Sequence, residues 1–195
     1  YYDSGGGILS QGNLIIENST ITNNGAYQGG GIRATQATIT GSLISENRSC
    51  TGWGREDYCL NFGGGGIYAE NLTLIDSTVA DNVAQGNVEF AGMGGGMGGG
   101  IVIIGASTIS GSTISGNRAS SGWGDMEDRG LPPSYGGGIF AAGDVTIVNS
   151  TISGNEANYG GGIMAFDGHV NLVNSSLSGN HAQYERYDYY DGYLI

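Results

Sequence analysis

Apolar and polar residues alternate along this chain over short runs. Val145 and Ile147 flank Thr146, Leu72 and Leu74 flank Thr73, and Ile114 sits between Thr113 and Ser115. A period of two in runs rich in Ile, Val and Thr predicts short strands, half-buried on one face. Three such runs recur in each unit, exemplified by Ile67-Tyr68-Ala69, Leu72–Ile75 and Ser77–Ala80. Between the second and third run stands one residue, which is Asn18, Gly41, Asp76, Gly111, Asn149 or Asn174. Gly, Asn and Asp tolerate a left-handed backbone, so a one-residue bend is predicted there.

The unit is marked at both ends. Gly-Gly-Gly-Ile occurs six times, beginning at Gly5, Gly29, Gly64, Gly98, Gly136 and Gly160, at spacings of 24, 35, 34, 38 and 24 residues. An apolar-x-x-Asn motif follows each copy and ends at Asn24, Asn47, Asn82, Asn117, Asn155 or Asn180. From that Asn to the next triplet the chain takes 5 residues after Asn24 and Asn155, but 17, 16 and 19 after Asn47, Asn82 and Asn117. A repeat of about 24 residues with all its length variation in one connection is the signature of a solenoid. The expectation is an all-β, right-handed parallel β-helix of about six coils, three short strands per coil, its hand following the rule for parallel crossovers.

The inward columns follow from the register. One is Ile8, Ile32, Ile67, Ile101, Ile139 and Ile163; a second runs from Ile16 to Leu172 and a third from Ile21 to Leu177. A Ser column from Ser19 to Ser175 is expected to turn inward beside the bend. The six motif Asn are expected to form an amide ladder, as stacked identical side chains do. Residues 1–195 are read as a single domain. Three insertions, Arg48–Gly63, Val83–Met97 and Ala119–Tyr135, leave one corner of successive coils, and residues 183–195 form a Tyr-rich end segment.

The paired motifs resemble the repeats of bacterial surface β-helix proteins, and are similar to the Gly-Gly-Ala-Ile / Phe-x-x-Asn repeats of the polymorphic outer membrane proteins. Ser112–Asn117 and Ser150–Asn155 carry the resemblance best, which extends from about Gly5 to Ala182. It implies an extracellular or cell-surface location. A scaffold of this kind serves adhesins, fibres and carbohydrate-active enzymes alike, so the resemblance is specific for fold and not for activity.

Charge narrows the partners. Eighteen acidic residues against six Arg, with no Lys, give a net charge of −12. That excludes nucleic acid as a natural partner, because binding to phosphates draws on cations. No apolar run approaches the ~18 residues of a membrane span, and no leader sequence is evident. The chain begins at Tyr1, which suggests a mature product or an excised fragment. Glycine accounts for 40 residues but falls periodically, and only 2 residues are Pro, so the composition serves tight turns and not disorder.

Candidate chemistry concentrates in the insertions. They carry Trp53, Tyr58, Phe62, Phe90, Trp123 and Tyr135. Beside them the outward positions of the first strand include Arg33, Tyr68, Phe140 and Met164, unusually apolar for a solvent face. Insertions on one face of a repeat array often mark its binding face, and an apolar stripe on a surface marks a contact. The alternative is that the insertions fold back over this stripe. Cys50 and Cys59 lie in the first insertion and are expected to form a disulfide closing a short loop. Asn-x-Ser/Thr sequons at Asn18, Asn47, Asn71, Asn149 and Asn174 arise from the repeat itself.

No catalytic residues, metal site or cofactor are expected. A lyase base is missing for want of Lys, and the acids lie mostly in loops at unrelated offsets rather than paired on one strand face. Ranks of outward Thr (Thr38, Thr73, Thr108, Thr146) suit ice binding, but Ile15 and Asn171 break the rank at its ends. The leading expectation is a non-catalytic structural or adhesive surface module, contacting other protein chains, including copies of itself stacked end to end. A carbohydrate-binding or polysaccharide-degrading β-helix, meeting cell-surface glycans, is the alternative.

Overall fold

A computed structural model describes residues 4–49, 63–86, 95–121 and 133–183. These residues form a parallel β-helix with no helical segment, their strands arranged in three sheets that run along the rod. The second sheet takes Thr20–Thr22, Leu43–Ser45, Thr78–Ala80, Thr113–Ser115, Thr151–Ser153 and Ser176–Ser178, one strand from each coil. Every strand pairs in parallel with its counterpart one coil away, so equivalent residues stack directly on one another.

The first sheet corrects the expected division of the coil. The first two runs fuse into a single strand in the first three coils (Ile8–Glu17, Ile32–Thr40 and Ile67–Ile75) and stay separate in the last three. The cause is chain length. From the Ile of the glycine motif to the bend is 9 residues in the second and third coils, 10 in the fourth and fifth, and 11 in the sixth. A surplus residue has no partner in the shorter ladder, so the strand breaks there. The first coil also spans 10 residues and absorbs its surplus as a register shift between Ser10 and Asn13.

The third sheet lies where the sequence suggested only loop. Gly25–Ala26, Arg48–Ser49, Val83–Gln85, Arg118–Ser120, Glu156–Ala157 and His181–Ala182 pair coil to coil. The first residues of each insertion therefore belong to the regular coil. Their signal is a small residue two positions after the ladder Asn (Ala26, Ser49, Ala84, Ala119, Ala157, Ala182). Runs of two or three residues without alternating apolar positions are too short for a periodicity to register.

Three left-handed corners turn each coil. Among the described residues, every positive φ belongs to one of three columns: the first glycine of the triplet, the predicted bend, and the residue before the ladder Asn. Glu46, at φ 55°, is the one occupant that is neither Gly, Asn nor Asp, a conformation that costs roughly 1 kcal/mol for an L-residue.

The triplet needs three glycines for two different reasons, visible at the third coil. Gly64 turns the chain at φ +70°. A Cβ on Gly65 would strike the backbone of Val83 and Gly99, and one on Gly66 would meet the Gly100 carbonyl at 2.9 Å and the Asn82 amide carbon at 3.0 Å. The triplet thus lets the chain lie flat against the ladder and against the coil above.

Inside, Ile32, Ile67, Ile101 and Ile139 stack with Ile39, Leu74, Ile109 and Ile147 and with Ile44, Val79, Ile114 and Ile152 in one continuous apolar core. The sixth coil departs from the pattern. Leu172 and Leu177 are 43% and 45% exposed, where their counterparts in the preceding four coils are at 0%.

Two polar ladders brace this core. In each interior Asn the amide is fully used. Asn82 Nδ2 donates to Asn117 Oδ1 (2.9 Å) and to the Ile44 carbonyl (3.0 Å). Its Oδ1 accepts from Asn47 N (2.9 Å) and Asn47 Nδ2 (3.0 Å). The same arrangement recurs at Asn47, Asn117 and Asn155. In the second ladder the Ser77 hydroxyl donates to the Ile75 carbonyl (2.7 Å) and accepts the Ser42 N–H (3.1 Å). Buried polar groups are tolerated because all are paired. Among the described residues the Ser49 hydroxyl is the exception.

Candidate functional site

The three insertions share one base. They leave from the third sheet, where Ser49, Ala84 and Ala119 stand in register, and return at Gly63, Met97 and Tyr135, which bridge one to the next. Tyr159, at the same position in a coil without an insertion, extends that return column. Its ring stacks on Tyr135 at 5.6 Å between centroids, with 17° between planes. Ser134, just before Tyr135, is buried and tied to Asn158: its N–H and hydroxyl reach Asn158 Oδ1 at 2.8 and 2.9 Å. The returning chain is therefore held firmly to the next coil.

Trp53, Tyr58, Phe62, Phe90 and Trp123, together with Cys50 and Cys59, lie outside the described residues. Besides Tyr135, the remaining candidates come together in one unbroken column. Leu9, Arg33, Tyr68, Val102, Phe140 and Met164 stand in register on the outward side of the first sheet, next to the return column. Of the two readings of this column, an open apolar stripe and a covered one, neither holds throughout. Leu9 is 53% exposed, Arg33, Tyr68 and Met164 are half-buried, and Val102 and Phe140 are buried although they sit outside the central core. The Phe140 ring lies 6.2 Å from that of Phe166, which rises from the turn of the next coil.

Arg33 and Tyr68 form the polar part of this column. The Arg33 guanidinium lies 5.5 Å from the centre of the Tyr68 ring, and its Nη1 donates to Ser4 Oγ at 3.2 Å. Burial pushes the Tyr68 phenol above its ordinary pKa; the Arg33 charge pulls against that and Glu70 adds to it. A cation over a half-buried ring is a recognisable contact element, stabilising by about 0.5–2 kcal/mol.

A second feature was not foreseen. Asn13, Gln36 and Asn71 stand in register and exposed, one step before the outward Thr rank. They line a groove of about 420 Å³ with Thr38, Thr73 and Thr108. Their sequence signal is weak, because the polar position aligns only once the register shift in the first coil is known. Among the described residues no three His, Cys, Asp or Glu side chains converge as a metal site, and no helix is long and apolar enough to cross a membrane.

Comparison with known proteins adds no relative: no protein-family model, no curated protein and no solved structure matches the chain.

Proposed function

We propose that this chain is an extracellular, non-catalytic surface module, structural or adhesive, whose rod holds three insertions in a row as a contact ridge. The observation that carries this reading is the shared base of the insertions: departure and return points stack coil on coil, so whatever the insertions carry is presented at about 4.8 Å intervals along a rigid support. The Arg33–Tyr68 contact and the aromatic pair Tyr135–Tyr159 flank that ridge and fit a protein-binding surface. The resemblance of the repeats supports the location. Deleting the interiors of the insertions should abolish adhesion of the purified chain to its target surface while leaving its melting temperature within a few degrees. Undiminished adhesion would sink the reading, as would recovery of the protein only from inside protease-treated, intact producing cells.

A carbohydrate-binding role is the second reading, favoured by the groove beside the Thr rank. Regularly spaced amides and hydroxyls suit the repeating hydroxyls of a polysaccharide. Glycan-array binding lost on Asn71→Ala with Gln36→Ala, and retained when the insertions are shortened, would select this reading over the first.

A further inference from the structure

Two outward ranks run side by side along the first sheet and bound the groove. Asn13, Gln36 and Asn71 stand in register in the first three coils. Ala106 and Asp144 take the same place, directly before the strand, in the fourth and fifth. Two positions on come Ile15, Thr38, Thr73, Thr108 and Thr146, one per coil. Between the ranks Ala37 and Leu72 turn inward and are buried, so the main chain forms the floor. The resulting trough of about 420 Å³ crosses successive coils along the rod and falls within the size range of ligand sites.

Its chemistry is polar without cations. The Asn and Gln amides each offer donors and an acceptor, and every Thr hydroxyl offers both. Asp144 is the one charged residue that lines the groove among the described residues, and its Oδ1 accepts the His169 N–H at 2.8 Å. The described Arg side chains are placed elsewhere. Arg33 is held against Tyr68 and Ser4, Arg118 pairs with Glu156 at 3.5 Å, and Arg48 belongs to the third sheet. A ligand carrying carboxylates or sulfates would meet Asp144 and a net charge of −12, with no cation in the groove to offset them. A chain of uncharged hydroxyls finds a partner for both its donors and its acceptors.

Spacing selects the shape of that chain. Equivalent groups recur at about 4.8 Å per coil along the stack, close to the advance per sugar of an extended β-1,4-linked chain. A curved α-1,4-linked chain turns away from such a line. A pyranose also has hydroxyl edges and C–H faces. The amides and hydroxyls suit the edges, while Ile15 and the Thr methyls offer apolar contact to the faces.

We infer that the groove holds an uncharged, extended β-1,4-linked polysaccharide along the rod axis, one sugar per coil, and excludes acidic polysaccharides. The Gln36 and Asn71 amides hydrogen-bond hydroxyls on one edge of the chain, and Thr73, Thr108 and Thr146 those on the other. This rests on the carbohydrate-binding reading of the groove and names its ligand class.

The test is isothermal titration calorimetry of the 195-residue chain with cellotetraose, maltotetraose and the tetramer of β-1,4-linked glucuronate. Cellotetraose should bind more tightly than cellotriose, and cellotriose more tightly than cellobiose, with affinities unchanged by added salt. Maltotetraose and the acidic tetramer should bind at least about tenfold more weakly. Thr108→Val keeps a β-branched residue in the strand and removes one hydroxyl from the groove, so it should weaken cellotetraose by about two- to tenfold. Thr113→Val is the same change on the second sheet and should leave cellotetraose binding unaltered. Circular dichroism melts establish that both variants are folded. Preference for the acidic or the curved tetramer, lost on Thr108→Val, overturns the inference and leaves a carbohydrate-binding groove standing. Equal affinity for cellobiose and cellotetraose overturns the axial arrangement. Cellotetraose binding that Thr108→Val leaves intact overturns the placement in the groove. Silence toward all three tetramers removes the inference and the carbohydrate reading together.

Discussion

Asn82→Ala removes a ladder residue from the middle of the rod. Asn82 is fully buried and its amide makes four hydrogen bonds. Truncation leaves the Asn47 N–H, one Asn47 Nδ2 proton and the Ile44 carbonyl without those partners. Asn117 Oδ1 keeps the bond from the Asn82 main chain at 3.0 Å, and so is not orphaned. An unsatisfied buried group costs about 1–3 kcal/mol. Three of them, partly relieved by relaxation, put the loss at about 3–6 kcal/mol, a large share of the 5–15 kcal/mol typical of a whole domain. Asn24→Ala is the internal comparison. Asn24 is only half-buried, and the Thr22 carbonyl that it would release is near solvent, so about 1 kcal/mol is expected. Urea unfolding followed by far-UV circular dichroism measures both. Equal losses from the two variants would mean that the ladder is a by-product of stacking and not one of its causes.

Gly66→Ala should destabilise by about 1–3 kcal/mol through overpacking against Gly100 and Asn82, whereas Gly12→Ala, with open space around the added Cβ, should be neutral or gain up to about 1 kcal/mol, both read from urea midpoints. Ser49→Ala places alanine in a column that is otherwise mostly alanine and removes an unpaired buried hydroxyl, so its midpoint should rise by the equivalent of about 1 kcal/mol. The raised pKa of Tyr68 means that the folded chain holds the phenolic proton longer than the unfolded chain does. That stability is complete below about pH 10 and is lost as pH rises through the folded-state value, so thermal melts from pH 9 to 11 should show a smaller alkaline loss in Tyr68→Phe than in the parent.

Much of the fold was legible because repetition makes weak signals add. A lone Asn18 or Asp76 says little, but six bend residues at one offset, all Gly, Asn or Asp, identify a left-handed corner, and each has positive φ. The corner before the ladder Asn was less visible because Glu46 occupies it in one coil. The third sheet was missed for want of length, since strands of two or three residues there cannot show a period. The outward column was found by register, but whether it lay open or covered was left between two readings. Alternation tells which side a residue faces and not what lies over that side, and Val102 and Phe140 are covered.

The placement of the insertions has an evolutionary consequence. Each interrupts the coil between a third-sheet strand and the glycine corner, a stretch that carries none of the ladder asparagines and none of the Ile columns. Lengthening a loop whose ends are already fixed costs little, about 0.6 kcal/mol per doubling. Selection on the insertions can then proceed almost independently of selection on the rod. Their sequences can drift, lengthen or be exchanged between lineages while the glycine and asparagine positions stay fixed. Related chains should therefore diverge in patches, with variable segments separated by near-constant coils, and comparisons that average over the whole length will understate how similar their frameworks are.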